Sequence, residues 1–342
     1  MSHARVAVSW TPFKKRFDGM LIALVVTYLV AFVGVGFTLF PKITPEILLI
    51  RAFGTAAILL LNLILVIGPL ARLDRRWLPL LANRRHAGVS CFLLALIHAV
   101  LVIGTYHAGS EFDPLLSIFV SDAGMRAAAF PFQAFGFFAL LVLFAMAATS
   151  HDFWLAALGA PAWKALHMLV YAAWLLLIVH VSMGVLQSET HPLLLGAMGT
   201  SIVVVGGLHL ASAWKQSAFD EDPHAGATDW VDVAAVDDLP TDRPLGVSLS
   251  GDRVALVKTD RGVSAVSGIC QHQNGPLAEG RMIDGCLTCP WHGFQYRVED
   301  GCAPAPFTEK LPTFRVKIED GRVYVHPTPL PAGTFVEPAK VD

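Results

Sequence analysis

Six apolar stretches fill the first two thirds of this 342-residue chain and constrain its fold more than any other feature. They run over 19–40, 47–70, 87–107, 130–149, 165–186 and 192–213. The hydrocarbon core of a bilayer is about 30 Å thick, and a helix needs about 20 apolar residues to cross it. Inside that core every backbone N–H and C=O must be satisfied within the protein, so stretches of this length fold as helices. The chain is 54% hydrophobic and 15% charged, with a mean hydropathy of +0.56, which excludes an ordinary soluble protein of this length.

After Lys215 the character changes. Residues 219–226 form an acidic, turn-rich linker, and β-rich runs follow. Ser250-Gly251-Asp252, Asp260-Arg261-Gly262, Asp284-Gly285, Asp300-Gly301 and Asp320-Gly321 separate those runs and signal hairpins. The expected architecture is a multidomain membrane protein, a six-helix transmembrane α bundle over 1–214 and a small all-β domain over 229–327. A linker over 215–228 joins them, and a tail occupies 328–342. The first apolar stretch is too long for the core of a cleaved signal and lacks a small-residue cleavage site, so it reads as a retained anchor. No internal repeat is evident.

Orientation follows from the short loops. With the N-terminus inside, eleven basic residues lie on the inner side, among them Lys14, Arg76, Arg84, Arg85, Lys164 and Lys215. Only Lys42, Arg51 and Arg126 lie outside. The positive-inside rule places both termini and the β domain in the cytoplasm, as in a bacterial inner-membrane protein. The net charge of −2 and the lack of a basic groove motif point away from nucleic acid.

The β domain carries Cys270-Gln271-His272 and, after sixteen intervening residues, Cys289-Pro290-Trp291-His292. Each box offers one thiolate and one imidazole, a set that holds a [2Fe–2S] cluster with two Cys on one iron and two His on the other. Neutral imidazoles make the cluster less negative, so its reduced state is easier to reach. The chemistry implied is one-electron transfer. Structural zinc is the alternative, but its paired ligands stand two or more residues apart, and Cys-x-His is tighter. Cys286 and Cys302 read as small buried residues, and Cys91 as packing within the third stretch.

Ionisable residues at membrane depth are costly and usually functional. His86 opens the third stretch, with His98 twelve residues deeper; His167 opens the fifth, with His180 thirteen deeper. At 1.5 Å per residue the deeper pair lies ~18–20 Å beyond the shallow pair. Both helices run in the same direction, so His98 faces His180, and His86 faces His167, as axial pairs for b-type haem at one or two levels. The helical period of 3.6 residues puts the two histidines of each helix on different faces, so the helices must bend or His86 must reach inward. His209 is the substitute for His86. His107 and His191 read as solvated loop residues at the outer surface.

Arg84-Arg85-His86-Ala87-Gly88-Val89, Leu96-Ile97-His98, and Trp163 to Tyr171 ending at His180 together resemble the third and fifth helices of the ferric reductase-like transmembrane family. The likeness covers about residues 50–213 and implies haem b. Residues 229–327 resemble Rieske ferredoxins and the Rieske domains of ring-hydroxylating oxygenases. That likeness extends to Ala303-Pro304-Ala305-Pro306, matching the proline loop over the cluster, and to the last strand near Arg322–Val325. Asn274 departs from the glycine many members carry. Cys270, His272, Cys289 and His292 are then the cluster ligands. Gly275 and Trp291 stand where respiratory members carry a disulfide, and Phe294 stands where a hydroxyl donor to the cluster sulfur would raise the potential. Both departures imply a potential in the lower part of the roughly −150 to +300 mV Rieske range.

An oxygenase would also need a mononuclear iron site, usually two His and a carboxylate, on a large domain. Only a short tail follows the cluster domain. Gly34-Val35-Gly36 lies within an apolar stretch and does not open a phosphate-binding helix, so no nucleotide site is expected. The expected activity is electron carriage between a cytoplasmic [2Fe–2S] cluster and haem b, through the lipid bilayer, to an extracytoplasmic acceptor. The donor would be a cytoplasmic flavoreductase or ferredoxin-like protein, and the acceptor a periplasmic redox partner. Two other readings are a redox sensor or assembly subunit, and a cytochrome b/Rieske donor to a membrane oxidoreductase such as a desaturase.

Overall fold

The computed structural model describes residues 12–341 apart from 82, 110–112, 121–130, 185, 187–191, 221, 273, 292 and 306. The chain divides into a helical unit ending at Ser212 and a β unit beginning at Ala213.

The helices are α1 (Pro12–Leu39), α2 (Pro45–Leu73), α3 (Arg84–Val102), α4 (Gln133–Ala148), α5 (Ala160–Met168), α6 (Val170–Met183) and α7 (Pro192–Asp220), the last running past the boundary at Ser212. The start of α2 is set locally. The Thr44 hydroxyl accepts from Ile47 N–H, Pro45 supplies the first helical φ, and Glu46 faces the positive end of the dipole. Small residues then let α3 pack closely on α2: Ala52, Ala56 and Ala57 of α2 and Ala87 and Cys91 of α3 are all buried. Side-chain hydrogen bonds also tie helices together. Tyr28 donates to Thr55 at 2.8 Å, and Trp174 Nε1 donates to Asn62 Oδ1 at 2.8 Å.

Five helices among the described residues are long and apolar enough to span a bilayer. The expected fourth span differs: α4 has 16 residues, about 24 Å at 1.5 Å per residue, short of a full hydrocarbon core. The fifth span, Ala162–Met183, is divided into α5 and α6 by the single turn residue Leu169, between His167 and His180. No such break lies between His86 and His98. Instead α3 runs straight past both and loosens into a π-helical turn at Ile103–His107.

The β unit has three antiparallel sheets, ordered β1-β10-β9, β2-β3-β4-β8 and β5-β6-β7. Their strands are β1 (Val231–Ala235), β2 (Leu245–Leu249), β3 (Asp252–Thr259), β4 (Gly262–Ser267), β5 (Arg281–Ile283), β6 (Cys286–Thr288), β7 (Gln295–Tyr296), β8 (Thr313–Phe314), β9 (Val316–Glu319) and β10 (Arg322–Val325). Three hairpins turn on paired left-handed residues: Ser250-Gly251, Asp284-Gly285 and Asp320-Gly321. Both central residues of a type I′ turn need φ > 0, which Asp and Gly tolerate.

The segment beyond 327 is part of this unit. Ala339 and Val263 exchange backbone hydrogen bonds of 2.9 and 2.8 Å, and Leu330 N–H donates to Thr313 O at 2.8 Å. Gly262 makes that contact feasible, since its φ is +129° and a Cβ there would collide with the Ala339 carbonyl. Gly262→Ala should therefore destabilise the β unit by about 1–3 kcal/mol, the usual cost of a forced left-handed residue. Thermal bleaching of the cluster in the full chain should fall by roughly 4–8 °C per kcal/mol. An unchanged bleaching temperature would count against this contact as a structural tie.

Candidate functional site

In the β unit, the box residues stand on two loops. The loop after β4 is closed by Cys270 N–H donating to Gly275 O at 2.9 Å and Asn274 N–H to Cys270 O at 2.7 Å. Asn274 has φ +55°, which explains how Asn can stand where a glycine is common. The loop after β6 is closed by Cys289 N–H to Phe294 O at 2.8 Å and Gly293 N–H to Cys289 O at 3.0 Å. The loops meet at Gly275, where a Cβ would stand 2.5 Å from Cys289 Sγ. A larger residue there would push the second thiol away.

Cys270 and Cys289 are 1% and 2% exposed, so their sulfurs are shielded from water. The His272 ring lies parallel to Phe294, centroids 5.0 Å apart and planes 9° apart. Phe294 in turn packs on Tyr296 and Phe307. Thus Phe294 serves as a shelf for an imidazole. His292 lies outside the described residues, and no group of three metal-ligating side chains occurs among those described.

The sequence reading missed Tyr296. Its hydroxyl is 3.4 Å from Cys270 Sγ and accepts from Gln271 N–H at 3.1 Å. Burial first, then the adjacent Cys270 sulfur, push its phenol far above the usual range, so it stays protonated and can donate to a thiolate. The signal lay in Gly293-Phe294-Gln295-Tyr296, where period-two alternation aims Tyr296 to the same side as Phe294. The chain thus lacks one hydroxyl donor and keeps another. Cys286 and Cys302 are half-buried, not buried as expected, and burial raises the Cys286 thiol. Cys302 Sγ points to the Asp300 carbonyl at 3.7 Å.

In the helical unit, the His98 and His180 rings approach with centroids 6.4 Å apart at 85°. Two imidazoles bound end-on to one metal, with bonds of about 2 Å, place their ring centres roughly 6 Å apart. Each Nδ1 is occupied by a backbone carbonyl: His98 with Ile50 O at 2.9 Å, His180 with Phe132 O at 3.0 Å. Neutral imidazole then carries its proton on Nδ1 and its lone pair on Nε2, the arrangement metal-bound histidines adopt. This pair fits an axially ligated iron.

The shallow level is not assembled in the same way. His86 Nδ1 is held by the Asp18 carboxylate at 2.8 and 2.9 Å, a partner the sequence reading did not anticipate. His167 stacks on Trp163 with centroids 3.7 Å apart, its Nδ1 bonds Trp163 O, and its Nε2 is buried without a hydrogen bond of good geometry. His209 Nε2 is bound by the Tyr171 hydroxyl at 2.9 Å. Among the described residues no ring contact joins His167 to His86 or His209. His107, expected in a solvated loop, is 7% exposed and bonds Ser117 Oγ at 2.6 Å. His191 lies outside the described residues. Cys91 Sγ rests 3.4 Å from Ala57 O, as packing predicts.

A loop-held Cys/His site on a small β unit, joined to an apolar helical unit, defines a membrane-bound iron–sulfur protein. Residues 229–315 match the family described as Rieske [2Fe-2S] domain, and 53–178 match the ferric reductase like transmembrane component. The ferredoxin component of an alkene monooxygenase system from Xanthobacter autotrophicus is 42% identical over 105 residues, 30% of this chain and 85% of that protein. The ferredoxin component of naphthalene 1,2-dioxygenase/salicylate 5-hydroxylase systems from Ralstonia sp is 32% identical over 95 residues, 28% of this chain and 91% of that protein. Cholesterol 7-desaturase nvd from Xenopus laevis is 38% identical over 79 residues, 22% of this chain but only 17% of that protein. The chain belongs to the Rieske [2Fe–2S] family and joins that domain to a ferric reductase-like transmembrane component.

Tyr296→Phe should lower the cluster's midpoint potential. Hydrogen bonds to charged groups contribute about 1.5–3 kcal/mol. If half of that is felt only by the more negative reduced cluster, the drop is roughly 30–60 mV at 59 mV per tenfold for one electron. An EPR-monitored redox titration measures it, and an unchanged midpoint would remove Tyr296 from the account.

Proposed function

We propose that this protein carries single electrons between its Rieske cluster and b-type haem held in the membrane. The observation that carries this reading is the facing pair His98 and His180, 6.4 Å apart with each Nδ1 engaged, in the same chain as the Rieske domain. Haem bound there would be held by His98 and His180 and would supply a one-electron iron couple, which suits electron transfer.

The chain's own residues do the rest. Cys270, His272, Cys289 and His292 hold the cluster, and Tyr296 stabilises its reduced state through Cys270. His98 and His180, each with Nδ1 engaged by a backbone carbonyl, would hold the haem iron through Nε2. His167 is the ligand for a second haem, with His86 opposite it: Asp18 occupies His86 Nδ1 and leaves Nε2 for metal, whereas His209 Nε2 is engaged by Tyr171. The eleven-to-three distribution of basic loop residues supports a cytoplasmic cluster domain, a cytoplasmic donor, and an acceptor beyond the bilayer.

The names of two relatives favour a second reading. Both are ferredoxin components of oxygenase systems, so the Rieske domain could instead serve a separate oxidoreductase with no electron flow across the membrane.

His98→Ala and His180→Ala should each remove the same haem from purified protein, read as loss of its reduced-minus-oxidised α band, while the Rieske EPR signal persists. In proteoliposomes His98→Ala should cut transfer from an enclosed reductant to an impermeant external acceptor by at least tenfold. Wild-type haem content in both variants would sink the haem assignment. Retained haem-dependent spectra with no transmembrane transfer in the wild type would favour the second reading.

A further inference from the structure

The two histidine seats are copies of each other. His98 bonds Ile50 O across 48 residues, and His180 bonds Phe132 O across the same 48. Four residues beyond each carbonyl is a glycine. A Cβ on Gly54 would stand 2.9 Å from His98 Nδ1 and 3.0 Å from its Cε1. A Cβ on Gly136 would stand 2.9 Å from both the Nδ1 and the Cε1 of His180. Real Cβ atoms essentially never come within 3.0 Å of another heavy atom, so a side chain at either position would force the ring to shift away from its carbonyl. Each imidazole therefore sets its Nδ1–Cε1 bond against a glycine, one turn along from the carbonyl that takes its proton.

One shift of 82 residues maps Ile50 to Phe132, Gly54 to Gly136 and His98 to His180. The same shift carries the buried Ala57, Leu61 and Cys91 to the buried Ala139, Leu143 and Ala173. The repeat unit is thus a helix pair, α2 with α3 and α4 with α6. Its sequence trace is faint because only the seat and its packing are shared. The reading that found no repeat missed it for that reason.

We propose that Gly54 and Gly136 are paired positioning residues for the two axial imidazoles, in a ligand seat duplicated by an internal repeat. Each glycine lets the ring sit close enough to the helix for Nδ1–H to reach the carbonyl one turn before it. The carbonyl fixes the tautomer and increases the ligand's basicity. The inference rests on the proposed haem between His98 and His180.

The experiment compares Gly54→Ala, Gly136→Ala and Gly88→Ala in the full-length protein. Gly88 lies on α3 with nothing within 4 Å of where its Cβ would stand. Haem-to-protein ratio, ferric low-spin g values and haem midpoint are read, with the Rieske EPR signal in each sample as the check that the chain is folded. Gly54→Ala and Gly136→Ala should each lose haem severalfold or shift the largest g value and raise the midpoint of the haem that remains. Gly88→Ala should match the wild type. If haem is present and both seat variants match Gly88→Ala, the positioning role is overturned. If wild-type protein has no haem, the underlying reading fails instead. Should a seat variant not accumulate, proton ENDOR on wild-type ferric protein decides. Two exchangeable Nδ1 protons with strong hydrogen-bond couplings support the duplicated seat, and their absence overturns it.

Discussion

A bilayer offers no water to a buried polar atom, and the helical unit is arranged around that constraint. An imidazole left unsatisfied in such a place costs about 1–3 kcal/mol or more. His98 and His180 meet half of the requirement through backbone carbonyls that a regular helix would ordinarily keep for itself. Phe132 immediately precedes α4, so its carbonyl is within the first turn, and Gly136 clears the surface above it. The two rings approach with centroids 6.4 Å apart.

The β unit solves a different problem, that of holding a charged cofactor with few residues. Gly275 lets the two loops close to the point where one backbone touches the opposite sulfur. Phe294 gives His272 an apolar shelf, and Tyr296 sits behind Cys270 with a proton it does not lose. Loss of a hydroxyl at 294 and retention of one at 296 act on the cluster in opposite directions. The potential expected from Phe294 alone is therefore an incomplete account, and Tyr296 belongs beside it. Residues 330–339 complete the unit by pairing with Val263 and Thr313, so what reads as a tail is a structural strap.

Much of this was visible in the residues. Apolar length found the membrane helices, Ser250-Gly251, Asp284-Gly285 and Asp320-Gly321 marked hairpins while Asp300-Gly301 turns only a loop between β7 and β8, and the Cys/His boxes pointed to the cluster, because each depends on local chemistry. Depth counting paired His98 with His180 because rise per residue is nearly invariant. It did not foresee Asp18 on α1 as the partner of His86 Nδ1, since nothing in the sequence links the two. It also misjudged His107, whose burial depends on how Ser117 folds back. Gly54 and Gly136 were hidden because a glycine in a membrane helix has many reasons to exist, and only the facing ring shows which applies here.

The central claim is that one chain holds a Rieske cluster and a bis-imidazole haem. Low-temperature EPR of purified protein, together with haem and iron quantitation, tests it most directly. The account predicts a low-spin ferric haem signal with at least one haem b per chain, and after reduction a rhombic Rieske signal from two further irons. Protein that folds and shows the Rieske signal but contains no haem, or only high-spin haem with an open axial position, would contradict it.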